Sequence, residues 1–388
     1  MNFELDESHL AIVDGVGKVC AQFGDDYWTE REETKSYPYE FHKAMAEGGW
    51  LGITMPVELG GAGLGVTEAA LMMHTVASSS GTYSAASTIH LNLFGPHAIV
   101  VHGSPEQKQR WLGPLVRGEQ RACFGVTEPD AGLDTTSMKT FASKVDGGYR
   151  VNGRKIWTSS AQIADKVLLI ARTTPKDECK RPPDGISLFY TDLDRSRAEV
   201  RRIPKMGRNA VDSNSVFYDD YWVPADDLIG EEGRGFYYLL DSINPERVLV
   251  GIEATAIGQN ALRRATDYAR DRVVFGRPIG KNQGIQHPLA QNWIELQTAY
   301  WACLRAAWLY DQGKPCGAEC NMAKYLGGKH GHEATIRAVM VHGGMGYATE
   351  YQVERLYRES ILARISPVTE ELMLSFIAER VLGLPKSY

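Results

Sequence analysis

Along the first ~120 residues, apolar side chains recur at helical spacing. Segments such as PYEFHKAMAEGGW and SPEQKQRWLGPLVRGE combine that spacing with helix caps, and a glycine-dense loop, ELGGAGLG (58–65), lies between them. At RACFGVTEPDAG the pattern changes. From about 121 to 230, strand signals dominate: TFASKVDGGYRVNGRKIWTSS holds two β-rich runs around Asp146-Gly147-Gly148, a hairpin signature. KVLLIARTT, GISLFYTDL and NSVFYDDYWV follow, separated by Pro, Gly and Asp. From about 232 the helical period returns in three long segments, RVLVGIEATAIGQNALRRATDYARD, IQHPLAQNWIELQTAYWACLRAAWLYDQG and GAECNMAKYLGGKHGHEATIRAVMVHGG. Near the end, ARISPVTEEL reads as a turn closing at Pro367, with Thr369 capping a last helix. The pattern predicts an α+β chain with an N-terminal helical domain (1–120), a middle β domain (121–231) and a C-terminal helical domain (232–388).

Composition narrows the function classes. The chain has 388 residues, 43% hydrophobic and 23% charged, with a net charge of −6. That balance carries no nucleic-acid footprint, and no apolar run has the length of a membrane span. MNFELDESHL has no apolar signal region. The six cysteines are scattered, as reduced thiols of a cytoplasmic protein would be. Cys316 and Cys320 form C-x₃-C without a second pair, which reads as ordinary helix sequence. His330 and His332 fall on different helix faces, so no metal site is expected there. His90 and His342 carry no sequence signal of their own.

GVTEPDAGLD (125–134) is dense in turn residues, and exposed N–H groups in such a loop can hold a phosphate or a polar ring edge. It does not fit G-x-G-x-x-G, and on its own it reads as a plain surface loop. In company it says more. It closely resembles the flavin-binding loop of the acyl-CoA dehydrogenase family, and NGRKIWTSSAQIAD (152–165), MGRNAVDSNSVFYDDYWVPADDLIGEEGRGF (206–236), DRVVFGRPIGKNQGIQHPLA (271–290) and VHGGMGYATEYQVERLYRE (341–359) resemble further family motifs in order. The resemblance implies a helical domain, a β-barrel-like middle domain and a C-terminal four-helix bundle, assembled as a homotetramer. It implies FAD, an acyl-CoA substrate and an acceptor such as electron-transfer flavoprotein. It also implies removal of hydrogens from the α and β carbons of the thioester.

The implied cofactor residues are Phe124, Val126, Thr127, Gly132, Leu133, Trp157, Thr158 and Ser159, then Arg272, Phe275 and Gln283 acting across a dimer, with Gly343, Gly344, Thr369 and Glu371. Thr127 would bond the pyrimidine edge, Trp157 would pack on the ring system and Ser159 would bond near N5; Trp157 also reads as a core residue. Leu133 stands where the family usually has Ser, and Asp130 where it usually has Gly. Leu133, Asn244, Arg247 and Pro367 would meet the substrate. ARISPVTEEL aligns with a loop that often supplies the catalytic Glu, but here that position is Pro367, which has neither a carboxylate nor an N–H. A subset, including isovaleryl-CoA and long-chain acyl-CoA dehydrogenases, keeps its base on the long helix. SINPERVLVG (242–251) matches it with Glu246 and Arg247. There the resemblance implies a carboxylate base in an apolar, water-poor pocket. The alternative for Glu246 is a solvated carboxylate near a helix start; the alternatives for the chain are a flavin monooxygenase on the same fold and a non-catalytic partner subunit.

Overall fold

Seven helices form the first layer. They are α1 (Glu7–Cys20), α2 (Asp25–Thr34), α3 (Tyr39–Glu47), α4 (Val66–Ala77), α5 (Thr82–Phe94), α6 (Pro96–His102) and α7 (Pro105–Val116) in a computed structural model that describes residues 4–387. Local chemistry sets their starts. Asp6 accepts from the His9 N–H at 2.9 Å to cap α1, and Ser104 with Gln107 forms a capping box on α7. Helix α4 is buried along most of its length and starts at Gly65, which has no capping side chain. Asp311, from a later helix, fills that role by accepting from the N–H groups of Val66 and Thr67 at 2.8 Å each.

The middle of the chain forms β1 (Ala122–Gly125), β2 (Phe141–Val145), β3 (Gly148–Ser159), β4 (Lys166–Arg172), β5 (Ile186–Asp192), β6 (Ala198–Arg202) and β7 (Ser213–Pro224). They make one seven-stranded sheet in the order β1-β4-β2-β3-β7-β6, with β5 also paired to β4. Strand β4 is apolar on both sides because both its faces are covered. Leu168 and Ile170 meet Trp111, Leu112 and Leu115 of α7, while Val167, Leu169 and Ala171 face Phe189 and Val216. The pairing of β3 with β7 slips between Lys155 and Thr158. This bulge puts Trp157 at φ 62° and turns its indole out of the sheet.

The last third contains α8 (Gly235–Asp241), α9 (Ile243–Asp271), a short hairpin of β8 (Val273–Val274) and β9 (Arg277–Pro278), then α10 (Gln283–Asp311), α11 (Gly317–His342), α12 (Val353–Ser360), α13 (Leu362–Ile365) and α14 (Glu370–Arg380). Helices α9 and α11 touch backbone to backbone. A Cβ on Gly327 would lie 2.1 Å from the Gly251 carbonyl oxygen, and one on Gly331 would lie 2.2 Å from that of Ala254. The helical layers share one core, running from Phe41, Leu71 and Met72 to Val248, Ile252 and Ala323. Among the described residues, no helix is long and apolar enough to cross a membrane.

Candidate active site

Glu246 sits in the first turn of α9, just after Pro245, whose missing N–H costs nothing at a helix start. Glu253 lies two turns further along the same helix, so both carboxylates leave one face. They converge on His90 of α5. The Nε2 of His90 is 2.6 Å from Glu246 Oε2, and its Nδ1 is 2.7 Å from Glu253 Oε1. Glu246 is only 7% exposed and Glu253 only 1%. Burial works against a charge on His90, but the two carboxylates outweigh it and hold the imidazole well above its ordinary range. Burial pushes the Glu253 carboxyl up, and His90 opposes that shift. The surroundings of Glu246 therefore differ from the apolar pocket expected. The site is buried, yet an imidazole meets the carboxylate, because α5 lays His90 against this face of α9.

The 366–369 loop between α13 and α14 is held by a buried lysine that also feels the charge of Glu246. Lys324 of α11 donates from Nζ to the carbonyls of Val368 (2.9 Å), Ser366 (3.2 Å) and Ala363. Burial lowers its pKa to about 8, against the pull of Glu246 and Glu370. Pro367 is exposed between two of these gripped carbonyls. Thr369 occupies the N-cap position of α14, but its buried hydroxyl has no hydrogen-bond partner. Glu371 is exposed in the first turn of α14. Arg247 is half-buried and donates to Asn244 Oδ1 at 3.2 Å.

A third group lies on the sheet. Glu128, in the turn after β1, accepts from the backbone N–H groups of Lys139 (2.6 Å) and Thr140 (3.0 Å) and from Lys155 Nζ (2.8 Å). Lys155 is fully buried, and that burial brings its pKa to about 8. The Thr127 carbonyl accepts from Ile156 N–H at 2.9 Å, so this turn is tied directly to the bulge at Trp157. Phe124 lies on Gly95, where a Cβ would come within 1.9 Å of its ring. Val126 is half-buried beside it, Leu133 is exposed, and a Cβ on Gly132 would meet nothing within 4 Å. The Trp157 indole is 56% exposed, so it is no core residue here. Thr158 is buried with an unpartnered hydroxyl. Ser159 Oγ accepts from Arg208 Nη2 at 3.2 Å, while Arg208 Nη1 donates to Ser87 Oγ at 2.9 Å.

Arg272, Phe275 and Gln283 are elsewhere. They lie at or beyond the other end of α9, ~39 Å along the helix from Glu246. Phe275 is fully exposed at φ 51° in the β8–β9 hairpin. Gly343, at φ 59°, and Gly344 follow α11, with nothing within 4 Å of a Cβ on either. On the α10–α11 side, Glu295, His330 and Glu333 gather within 4.8 Å of one another, whereas His332 turns inward to Ser360 at 2.8 Å. His90, Glu253, Lys324 and Arg208 were not anticipated as site residues. A charged side chain inside an otherwise apolar helix stretch, as in VLVGIEA or MAKYLGG, is the signal that could have marked Glu253 and Lys324.

The chain matches three family models: the acyl-CoA dehydrogenase N-terminal domain over residues 6–119, the middle domain over 123–221 and the C-terminal domain over 233–382. It is 33% identical to the acyl-CoA dehydrogenase FadE12 of Mycobacterium tuberculosis, with 98% of each chain covered. Its fold matches butyryl-CoA dehydrogenase from Megasphaera elsdenii at 28% identity and a TM-score of 0.93, over 98% of this chain and 100% of that one. The FAD complex of PigA matches at 27% identity and a TM-score of 0.93, over 99% and 100%. Similar in sequence and in fold along nearly its full length, the chain belongs to the acyl-CoA dehydrogenase family and is an oxidoreductase acting on acyl-CoA.

Proposed function

We propose that the chain binds FAD and converts an acyl-CoA thioester to the 2-enoyl-CoA, with Glu246 taking the α proton. One observation carries this reading: a buried carboxylate at the start of α9 lies within electrostatic reach of Lys324, which grips the carbonyls of Ser366 and Val368. Pro367 can take no proton, Glu370 is paired with Arg364 and Glu371 is exposed, which favours the buried Glu246 as the base.

The residues on the sheet suit the cofactor. Arg208 can only donate, so it fills the acceptor side of Ser159 and leaves that hydroxyl's own hydrogen to be given away. The exposed Trp157 offers a flat apolar face, the orphaned Thr158 hydroxyl lacks a partner, and the open side of Gly132 admits a phosphate against backbone. FAD, when bound, supplies an acceptor at N5 for the hydride that leaves the β carbon. Ser159 orients the ring through one hydrogen bond, and Trp157 shields it from water. Thr127 meets the pyrimidine edge, alongside Phe124, Val126 and Leu133. Asn244 and Arg247 flank the substrate, and a base on this helix suits branched or bulky acyl groups. Arg272, Phe275 and Gln283 are too far from Glu246 to serve the same ring, so they meet the cofactor of a second subunit, with Gly343 and Gly344, in a homotetramer. Electron-transfer flavoprotein is the proposed acceptor.

The test is anaerobic bleaching of the bound flavin by straight, branched and cyclic acyl-CoAs. With the best of them, Glu246→Gln should slow bleaching by about 10²–10⁴-fold while FAD stays bound. Bleaching at the parent rate would end the assignment of Glu246.

A further inference from the structure

Both nitrogens of His90 lie within hydrogen-bond distance of a carboxylate oxygen. Each contact needs one hydrogen, so the three side chains hold two protons between them. Wherever those protons sit, the trio carries one net negative charge. It is enclosed: Glu246 and Glu253 are buried, and His90 lies between α5 and α9. Ionisable groups facing the trio include Tyr83 on α5, Arg208 from the β6–β7 connection and Lys324 on α11, and Glu359 on α12 acts in turn on Tyr83 and Arg208. The hydroxyl of Tyr83 is buried without a hydrogen-bond partner.

We propose that Glu246, His90 and Glu253 work as one unit, in which His90 and Glu253 are positioning residues that set the strength of Glu246 as a base. The proposal rests on Glu246 being that base. In the step, the α C–H bond breaks and its proton goes to the Glu246 carboxylate. The electron pair left behind forms the new Cα=Cβ bond as the β hydrogen departs with its own pair to the flavin. The trio passes from one negative charge to none. A buried excess charge is costly, so its loss favours the forward direction. A lone Glu246–imidazolium pair would instead pass from neutral to positive, which burial opposes. Glu253 supplies the difference. His90 has the opposite duty, keeping two buried carboxylates from sharing a proton that would disable the base.

Two isosteric or near-isosteric variants therefore shift the pH dependence of flavin reduction in opposite directions. Glu253→Gln removes the excess charge: the acid limb should move down by about one pH unit and the plateau should fall about tenfold. His90→Gln removes the opposing charge, so the acid limb should move up by a similar amount. Infrared spectra of holoenzyme carrying isotope-labelled histidine read the ring directly. They should show His90 losing its proton at a lower pH in Glu253→Gln than in the parent. Limbs that coincide with the parent's, or a His90 ring that loses its proton at the same pH in the parent and in Glu253→Gln, overturn the proposal. The two possible failures look different. If Glu246→Gln bleaches at the parent rate, both the base assignment and the unit are lost. If Glu246→Gln is inactive while Glu253→Gln and His90→Gln keep the parent profile, the base stands and only the unit is lost.

Discussion

A single hydroxyl illustrates what one residue decides. Ser159 can accept from two partners but donate only once, and Arg208 occupies its accepting side. The direction of its remaining bond is thus fixed by a side chain on a different strand connection. Ser159→Ala should slow flavin reduction by roughly fivefold to tenfold, the worth of one hydrogen bond at ~1 kcal/mol. Arg208→Met should cost a similar factor, and the double variant should be no slower than either single one, because both act through the Ser159 hydroxyl. Stopped-flow bleaching rates for the three proteins check this; additive losses would separate the two residues. A second residue-scale prediction concerns Lys324, whose pKa burial lowers to about 8 from an ordinary ~10.4. The unfolded chain then binds more protons than the folded one between those values, so stability rises with pH from about 8 to about 10.4, and the cost is fully present below pH 8. The melting temperature of Lys324→Met should lack this part of the rise, and equal slopes in parent and variant would refute it.

At the scale of elements, much of the architecture is legible in the sequence, and the exceptions have physical causes. Long helices such as α9 and α10 announce themselves through period and length, and β4 through a continuous apolar run. Short helices α8, α12 and α13 do not, since a helix of one or two turns is fixed by what it packs against. The motif residues on β3 and α9 can be read from local pattern and family resemblance. The partners that give them chemistry cannot. His90 meets Glu246 only because α5 crosses α9, and Lys324 meets Val368 only because α11 runs beneath the loop. Contacts between distant segments leave no local trace. The close crossing of α9 and α11 makes its own prediction. Gly327→Ala would drive a methyl into the Gly251 carbonyl and should destabilise the protein by about 1–3 kcal/mol. Chemical denaturation with flavin fluorescence as readout measures it, and an unchanged midpoint would mean the helices can part freely.

The whole molecule divides its labour between the two ends of one helix. Glu246 stands at the start of α9, and Arg272 follows its end. Under the proposed assembly, Arg272→Ala should lower the flavin-to-protein ratio and shift the particle toward smaller oligomers by size-exclusion chromatography with light scattering. Full flavin content and unchanged size would argue against a role in trans. The glycine crossing of α9 with α11 has one more consequence. Gly251, Gly327 and Gly331 bring two backbones so near that no side chain mediates between them. One of these helices carries Glu246, and the other holds the 366–369 loop through Lys324. The two together form a fixed jaw, with its opening gauged by hydrogen atoms and nothing left to trim. Under the proposed function, room for a different acyl group would be made away from this crossing, toward α5 and the β6–β7 connection, which carry Ser87, His90 and Arg208.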